Sequence, residues 1–206
     1  MDEKLEWRKE PWYKAKKKPE LLTLPPQNYF MIDGIGDPNK EDFQQRVAAL
    51  YPVAYTIRMS QKNAWQIPDF QLFTVYPLEG HWTIQEKYYG ETQLVKDHFA
   101  YTMMIKQPAF VTPEIAAEAL ARAKTKIPEE LFPLIRFETI PEKEVAQILH
   151  LGSYDDEPAT FAQLEEFIAA SGHRRLSKDH KEIYLSDPRK TAPEKLKTIL
   201  RVDVTK

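Results

Sequence analysis

The sequence predicts a single α+β domain built from two similar halves. Each half follows the order strand, helix, strand, helix, strand, and each has a glycine after its first strand. The two glycine-containing segments are residues 32–38 and 149–155. A chain of 206 residues can bury a substantial core without disulfides or metals. We therefore expect a duplicated unit with an approximate twofold axis and a cleft where its halves meet.

The predicted boundaries are an N-terminal leader at residues 1–27 and a domain at residues 28–206. Within the domain, the two modules are expected at about residues 28–127 and 140–206. The leader contains a lysine-rich run, which is typical of a solvated surface. It also contains aromatic side chains, which predict that it packs on the body of the protein: Trp7, Trp12 and Tyr13.

The first module opens with a strand and a long helix. The run Tyr29–Ile32 predicts the strand. After Asn39, apolar residues recur at the spacing of a helix, namely Phe43, Val47, Leu50, Ala54 and Ile57. Pro52 lies inside this pattern, so the helix is expected to kink or divide there.

The remainder of the first module is predicted to contain two strands and a second helix. The strands are expected at residues 70–76 and about 98–106. Residues 77–82 between them are predicted to form a loop that carries the large ring of Trp82. Thr112-Pro113 marks the start of the helix, because proline favours the first helical position.

The second module repeats this scheme. A strand at about residues 145–151 leads through a turn to a helix that begins near Pro158. A further strand is predicted at about residues 181–185. A short helix from Thr191, which has capping-box spacing, and a strand at residues 200–204 complete the chain.

The strand at residues 181–185 is the most informative segment for function. Side chains alternate along a strand, so Ile183 and Leu185 share one face, which we expect the helices to cover. Glu182 and Tyr184 share the opposite face. That face either meets solvent, making Glu182 an ordinary surface carboxylate, or lines the cleft, which would suit a flat, cationic or electrophilic ligand. The twofold arrangement could bring further aromatic rings near it: Tyr76, Trp82, Tyr101 and Tyr154.

Composition argues against nucleic-acid and membrane partners. Twenty-nine basic and 31 acidic residues give a net charge of −2, without the basic excess that phosphate binding requires. No stretch approaches the roughly 20 apolar residues that cross a bilayer, and the N-terminus does not resemble a secretory signal. The expected location is the cytoplasm. Ten tyrosines, ten phenylalanines and four tryptophans fit either a well-packed core or, in part, the lining of a ligand cavity.

The sequence predicts no metal and no cofactor. It has no cysteine, which excludes disulfides and thiol catalysis, and its five histidines lack the spacing of metal ligands. With only six glycines it shows no phosphate-binding loop, and it has no Gly-x-Ser-x-Gly nucleophile motif. The expected partner is a small hydrophobic or aromatic molecule.

Several segments resemble the GyrI-like family of bacterial effector-binding domains. Residues 152–160 resemble the turn into that family's second helix, and residues 182–198 are close to a signature of its stand-alone members. Shorter similar segments lie at residues 54–57, 77–80 and 103–108, so that the likeness spans about residues 20–205. The resemblance implies duplicated strand-helix-strand-strand modules, an antiparallel barrel-like sheet and a pocket between the modules.

The resemblance also implies a function and a set of site residues. Glu182 matches the family's acidic pocket residue, and the aromatic ligand-binding candidates are Tyr55, Tyr76, Trp82, Tyr101, Tyr154 and Tyr184. Some stand-alone relatives hydrolyse cyclopropane-bearing, DNA-alkylating natural products. By that analogy Glu182 positions or deprotonates the attacking water, a tyrosine stabilises charge on the conjugated carbonyl, and the protein is a detoxifying hydrolase.

Two features keep a second reading open. Relatives have Leu-Trp-Trp where this chain has His81-Trp82-Thr83, and some have tryptophan at the position of Tyr101, so the range of ligands is expected to differ. A carboxylate among rings also attracts a cation without any chemistry. The alternative is therefore a non-catalytic multidrug- or effector-binding protein that acts in sensing or sequestration.

Overall fold

Antiparallel strand pairing forms the framework of the computed structural model, which describes residues 4–90, 93 and 95–206. The strands of the described residues are β1 (Glu20–Leu24), β2 (Gln27–Ile35), β3 (Leu78–Ile84), β4 (Phe99–Gln107), β5 (Arg136–Ile140), β6 (Lys143–Leu151), β7 (Arg174–Arg175), β8 (His180–Tyr184) and β9 (Lys197–Thr205). The α-helices are α1 (Glu41–Arg58), α2 (Pro113–Ala123) and α3 (Glu157–Ala170). None of the helices in the described part of the chain combines the length and hydrophobicity needed to cross a bilayer.

The sheet shows the duplication directly. Eight strands follow the order β1-β6-β9-β8-β3-β4-β2-β5 in a curled antiparallel half-barrel, and β7 pairs with β9. One module is β2-α1-β3-β4 and the other is β6-α3-β8-β9, so the order β6-β9-β8 in one mirrors β2-β4-β3 in the other. The modules meet where β3 pairs with β8, from Glu79 opposite Ile183 to Trp82 opposite His180. We call this pairing the module seam, and it confirms the predicted duplicated α+β fold.

Helices α1 and α3 each bury an apolar side against their own module. Leu50, Val53 and Ile57 of α1 are fully buried and belong to the larger core cluster. Leu164 and Ile168 of α3 pack in a second cluster with residues of β6 and β9. Burial of one such side chain stabilises the fold by roughly 1.5–3 kcal/mol, which fixes both helices on the sheet.

The N-terminal segment covers the opposite side of the sheet. Trp7 and Tyr13 are buried, and the Trp12 carbonyl accepts a hydrogen bond of 2.6 Å from Arg201 Nη2 in β9. The segment then continues into β1, which pairs with β6. Part of the predicted leader is therefore a strand of the sheet.

Two predictions in the first module are wrong. Residues 70–76 form no strand beyond an isolated bridge at Phe73, and residues 77–82, predicted as a loop, mostly belong to β3. Glu79 and His81 hid this strand, because their face of the sheet is polar and lacks the apolar alternation of an ordinary buried strand. Pro52 does not divide α1, whose residues on either side of the proline are buried against the sheet.

Candidate functional site

The module seam places Glu182 beneath helices α1 and α3. In the seam, Gly80 is paired with Glu182, and side chains of paired residues point to the same face. On that face, Phe43 of α1 stacks on Trp82 at a centroid distance of 5.8 Å. From the other module, Phe161 of α3 lies 4.9 Å from the His180 ring. Both helices therefore cover the face that carries Glu182.

This arrangement corrects the predicted orientation of β8. We expected the helices over Ile183 and Leu185, but those side chains point to the opposite face, with Lys181. There Lys181 Nζ lies 2.9 Å from Glu79 Oε2, and both side chains are buried. Tyr13 of the N-terminal segment donates a hydrogen bond of 2.6 Å to Glu79 Oε1. The opposite face therefore carries a buried polar cluster. The alternation of side chains along β8 defines two faces, but it does not show which of them the helices cover.

The Glu182 carboxylate is held from two directions. It is 8% exposed, so its oxygens need partners within the protein. The Tyr184 hydroxyl donates a hydrogen bond of 2.7 Å to Oε2, and His180 Nε2 is hydrogen-bonded to Oε1 at 2.9 Å. Trp82 Nε1 in turn donates to the Tyr184 hydroxyl at 2.9 Å. The chain from Trp82 through Tyr184 fixes one oxygen of Glu182 and leaves His180 beside the other.

Gly80 makes this hydrogen-bond chain possible. A Cβ built at Gly80 would lie 2.8 Å from Trp82 Nε1 and 3.1 Å from the Tyr184 hydroxyl. Both distances are below ordinary van der Waals contact. A glycine opposite Glu182 therefore lets the indole and phenol groups meet above the strand.

A second carboxyl group, Glu157, lies against Glu182. Glu157 is the first residue of α3 and is 7% exposed. Burial, together with the negative charge of Glu182, raises the pKa of Glu157 from its ordinary value to about 9. Two adjacent carboxyl groups in a buried site resist being ionised together. The two carboxyl groups are therefore expected to share a proton at neutral pH.

Sequence reasoning missed Glu157 as a site residue. It belongs to the segment that resembles the family's turn into the second helix, and Pro158 after it marks the helix start. Neither signal shows that the first turn of α3 lies over β8. That contact comes from packing between elements distant in sequence.

Glu157, His180 and Glu182 are also the group that could hold a metal ion. Each offers one ligand atom, and these atoms all lie within 4.8 Å of one another. The sequence analysis found no metal-ligand spacing, because the three residues come from α3 and β8 and form no compact motif.

Tyr154 forms the exposed edge of the site. Its ring meets the Tyr184 ring edge-on at 6.0 Å, and 38% of the residue remains exposed. Partial burial and the charge of Glu182 raise the pKa of Tyr154 to about 12, so its hydroxyl stays protonated. The turn that carries it is fixed by His150, whose ring nitrogens lie 2.8 Å from Thr160 Oγ1 and 2.9 Å from the Ser153 carbonyl.

The structure places the other candidate residues further from Glu182. The Tyr101 ring lies 5.3 Å from Trp82 and supports its far side, but a Cβ on Gly34 of β2 would overlap the Tyr101 hydroxyl, which therefore points away from the seam. Tyr76 lies beyond the opposite face, where it is hydrogen-bonded to Glu10. Tyr55 is 51% exposed on the outer side of α1. The structure thus groups Trp82, Tyr154 and Tyr184 around Glu182, and it separates Tyr55 and Tyr76 from them.

Two cavities among the described residues lie near the seam or beyond it. One, of about 240 Å³, is lined by Thr56, Asn63, Trp65, Arg122 and Lys126. Another, of about 20 Å³, borders the module seam, and its lining includes His81, His180, Lys181 and Arg201. Neither contains Glu182, around which the rings pack closely. Entry of a ligand beside Glu182 is therefore expected to displace a ring, and Tyr154 is the most exposed of the rings around it.

Comparison with known families identifies the fold. A family model described as the GyrI-like small molecule binding domain matches residues 17–204. The chain belongs to the GyrI-like family. It is therefore a small-molecule-binding domain, and its ligand is expected to be small. A search of curated proteins gave no match.

Solved structures agree with this assignment. A crystal structure of a hydrolase from Listeria innocua is 35% identical and superposes with a TM-score of 0.86, covering 98% of this chain and 100% of that one. An uncharacterized conserved protein from the same organism is 37% identical, with a TM-score of 0.88 and the same coverage. The EcmrR C-terminal domain is 12% identical with a TM-score of 0.51, covering 92% of this chain and 98% of that one, and shares the fold.

Proposed function

We propose that this GyrI-like domain binds a flat hydrophobic molecule at the module seam and hydrolyses electrophilic cyclopropane-bearing compounds, as a detoxifying enzyme. The observation that carries the proposal is the buried Glu182 carboxylate, fixed by Tyr184 and His180 among aromatic rings. The similar Listeria innocua protein that is named a hydrolase supports an enzymatic role.

In the proposed reaction, Glu182 orients a water molecule and accepts its proton. The water oxygen forms a bond to the cyclopropane methylene carbon, and the strained carbon–carbon bond breaks. Its electron pair moves into the conjugated ring system and produces a phenolate at the former carbonyl oxygen. The phenolate takes a proton from solvent, and Glu182 releases its proton to solvent, so the net change is the addition of one water.

Tyr154 is the best-placed tyrosine to assist. The Tyr184 hydroxyl already donates to Glu182 and accepts from Trp82. The Tyr154 hydroxyl has no such bond among the described residues, and its ring reaches the surface. We assign it the hydrogen bond to the carbonyl oxygen, where negative charge develops.

Binding without turnover is the second candidate function. Each oxygen of Glu182 already has one hydrogen-bond partner, so a water molecule can use only the lone pairs that Tyr184 and His180 leave free. A carboxylate fixed in this way among rings also suits a cationic aromatic ligand. In that case the domain would sense or sequester its ligand.

Incubation with a cyclopropanoid alkylating agent, followed by mass analysis, distinguishes the two. If the domain is a hydrolase, the product is heavier than the compound by one water. Glu182→Gln keeps the shape of the side chain but removes the base, so its rate should be lower than that of the wild type by about 100-fold or more. Glu166→Gln, on the exposed side of α3, is the matched control and should convert at the wild-type rate.

Binding is followed in parallel by quenching of tryptophan fluorescence. If the wild type binds the compound and never converts it, the domain is a binding protein. If Glu182→Gln converts the compound as fast as the wild type, Glu182 has no catalytic role.

A further inference from the structure

We propose that Glu157, His180 and Glu182 form a binding site for a divalent transition-metal ion, with Zn²⁺ as its representative. The three residues supply two carboxyl groups and one imidazole, and their ligand atoms lie within 4.8 Å of one another. Binding of the cation would displace the proton that the two carboxyl groups hold. This inference stands on the geometry of the cluster and does not rest on the proposed hydrolysis, although both use Glu182.

The spacing is close to that of a coordinated ion. His180 Nε2 and Glu182 Oε1 are 2.9 Å apart. At Zn–N and Zn–O distances of about 2.0–2.2 Å, two ligands of a tetrahedral site are about 3.3 Å apart. An increase of a few tenths of an ångström in the distance between His180 Nε2 and Glu182 Oε1 would therefore let both atoms coordinate one metal ion.

The surrounding residues are arranged to hold these ligands in place. The Tyr184 hydroxyl donates a hydrogen bond to Glu182 Oε2, and Glu182 Oε1 lies beside His180. The edge of Phe161 packs against the His180 ring and limits its rotation. Such outer contacts orient metal ligands in proteins and raise affinity.

An independent observation points to a missing partner in the cluster. Glu157 is 7% exposed, and its Oε1 is buried without a hydrogen-bond donor among the described residues. Buried polar atoms normally have a partner, and leaving one unpaired costs about 1–3 kcal/mol. A cation bound between Glu157 and its two neighbours would supply that partner.

The donor set selects the class of ion. Imidazole nitrogen suits Zn²⁺ and other transition metals, whereas Mg²⁺ prefers oxygen ligands and retains most of its water. Three protein ligands leave a fourth tetrahedral position open. We therefore expect Zn²⁺ to bind and Mg²⁺ to fail to compete with it.

Calorimetric titration of Zn²⁺ into tag-free, chelator-treated protein tests the site. The wild type should bind one Zn²⁺ per chain, and both His180→Ala and Glu157→Gln should weaken binding about tenfold or more. His173→Ala removes a histidine from the loop after α3 and should leave the affinity unchanged. Circular dichroism of each variant establishes that the fold is intact.

A second readout reports the ligands directly. Co²⁺ in place of Zn²⁺ should give visible absorption bands in the wild type that weaken or shift in His180→Ala and Glu157→Gln. Absence of Zn²⁺ binding by the wild type, or equal affinity in the wild type and both variants, would overturn the proposal. Both titrations use no substrate, and the hydrolysis assay is run with chelator present, so failure of one proposal is distinguishable from failure of the other.

Discussion

Replacing Glu157 by glutamine should stabilise the protein increasingly as the pH rises. Burial beside Glu182 raises the pKa of Glu157 to about 9, whereas the unfolded chain has the ordinary value of 4.5. The folded state therefore binds this proton more tightly, and the stability it contributes is complete below pH 4.5 and is lost as the pH rises toward 9. Glutamine keeps the shape and does not titrate.

The expected gain in the free energy of unfolding depends on how far the pH lies above 4.5, the pKa of Glu157 in the unfolded chain. From pH 4.5 to pH 7 the interval is about 2.5 units, which at 1.36 kcal/mol per unit gives an upper figure of about 3 kcal/mol. Glu157→Gln should thus differ little from wild type near pH 4. It should exceed wild type by up to about 3 kcal/mol at pH 7.

Urea denaturation of both proteins at several pH values, with chelator in every buffer, measures this difference. Groups far from residue 157 titrate alike in both proteins and cancel from the comparison. Glu166→Gln, on the solvent side of the same helix, is the matched control and should show a nearly constant offset. A gap between Glu157→Gln and wild type that does not grow with pH would refute the buried carboxyl pair.

Three further substitutions test individual contacts. Gly80→Ala should displace Trp82 and destabilise the fold by about 1–3 kcal/mol in urea denaturation, and an unchanged Trp82 fluorescence spectrum would contradict this. Tyr101→Phe removes a buried hydroxyl that has no partner among the described residues, so the midpoint should stay the same or rise, and a loss above about 1 kcal/mol would show an undetected bond. Tyr13→Phe leaves Glu79 short of one hydrogen bond and should cost about 1.5–3 kcal/mol, whereas no loss would mean that the N-terminal segment does not hold the seam.

Local patterns predicted the elements whose burial follows one simple period. The apolar spacing from Phe43 to Ile57 predicted α1, and Thr112-Pro113 predicted the start of α2, where Thr112 Oγ1 accepts a hydrogen bond from the Ile115 amide. The strand around Glu182 was also predicted, although the face that the helices cover was not.

The features that the sequence did not predict correctly depend on contacts between distant parts of the chain. Glu79 of β3 can be buried because Lys181 neutralises its charge and both Lys181 and Tyr13 hydrogen-bond its carboxylate. The same polar cluster decides which face of β8 the helices cover. The proximity of Glu157 to Glu182 likewise depends on how α3 sits over β8, which no short motif specifies.

The central claim is that ligands bind at the module seam, against the carboxyl group of residue 182. A crystal structure of Glu182→Gln soaked with a cyclopropanoid compound tests it most directly, because the substitution preserves the site and prevents turnover. We expect density for the compound between α1 and α3, in contact with Trp82 and Tyr154. Density only in the cavity beside Trp65 and Arg122, with the seam unchanged, would contradict it.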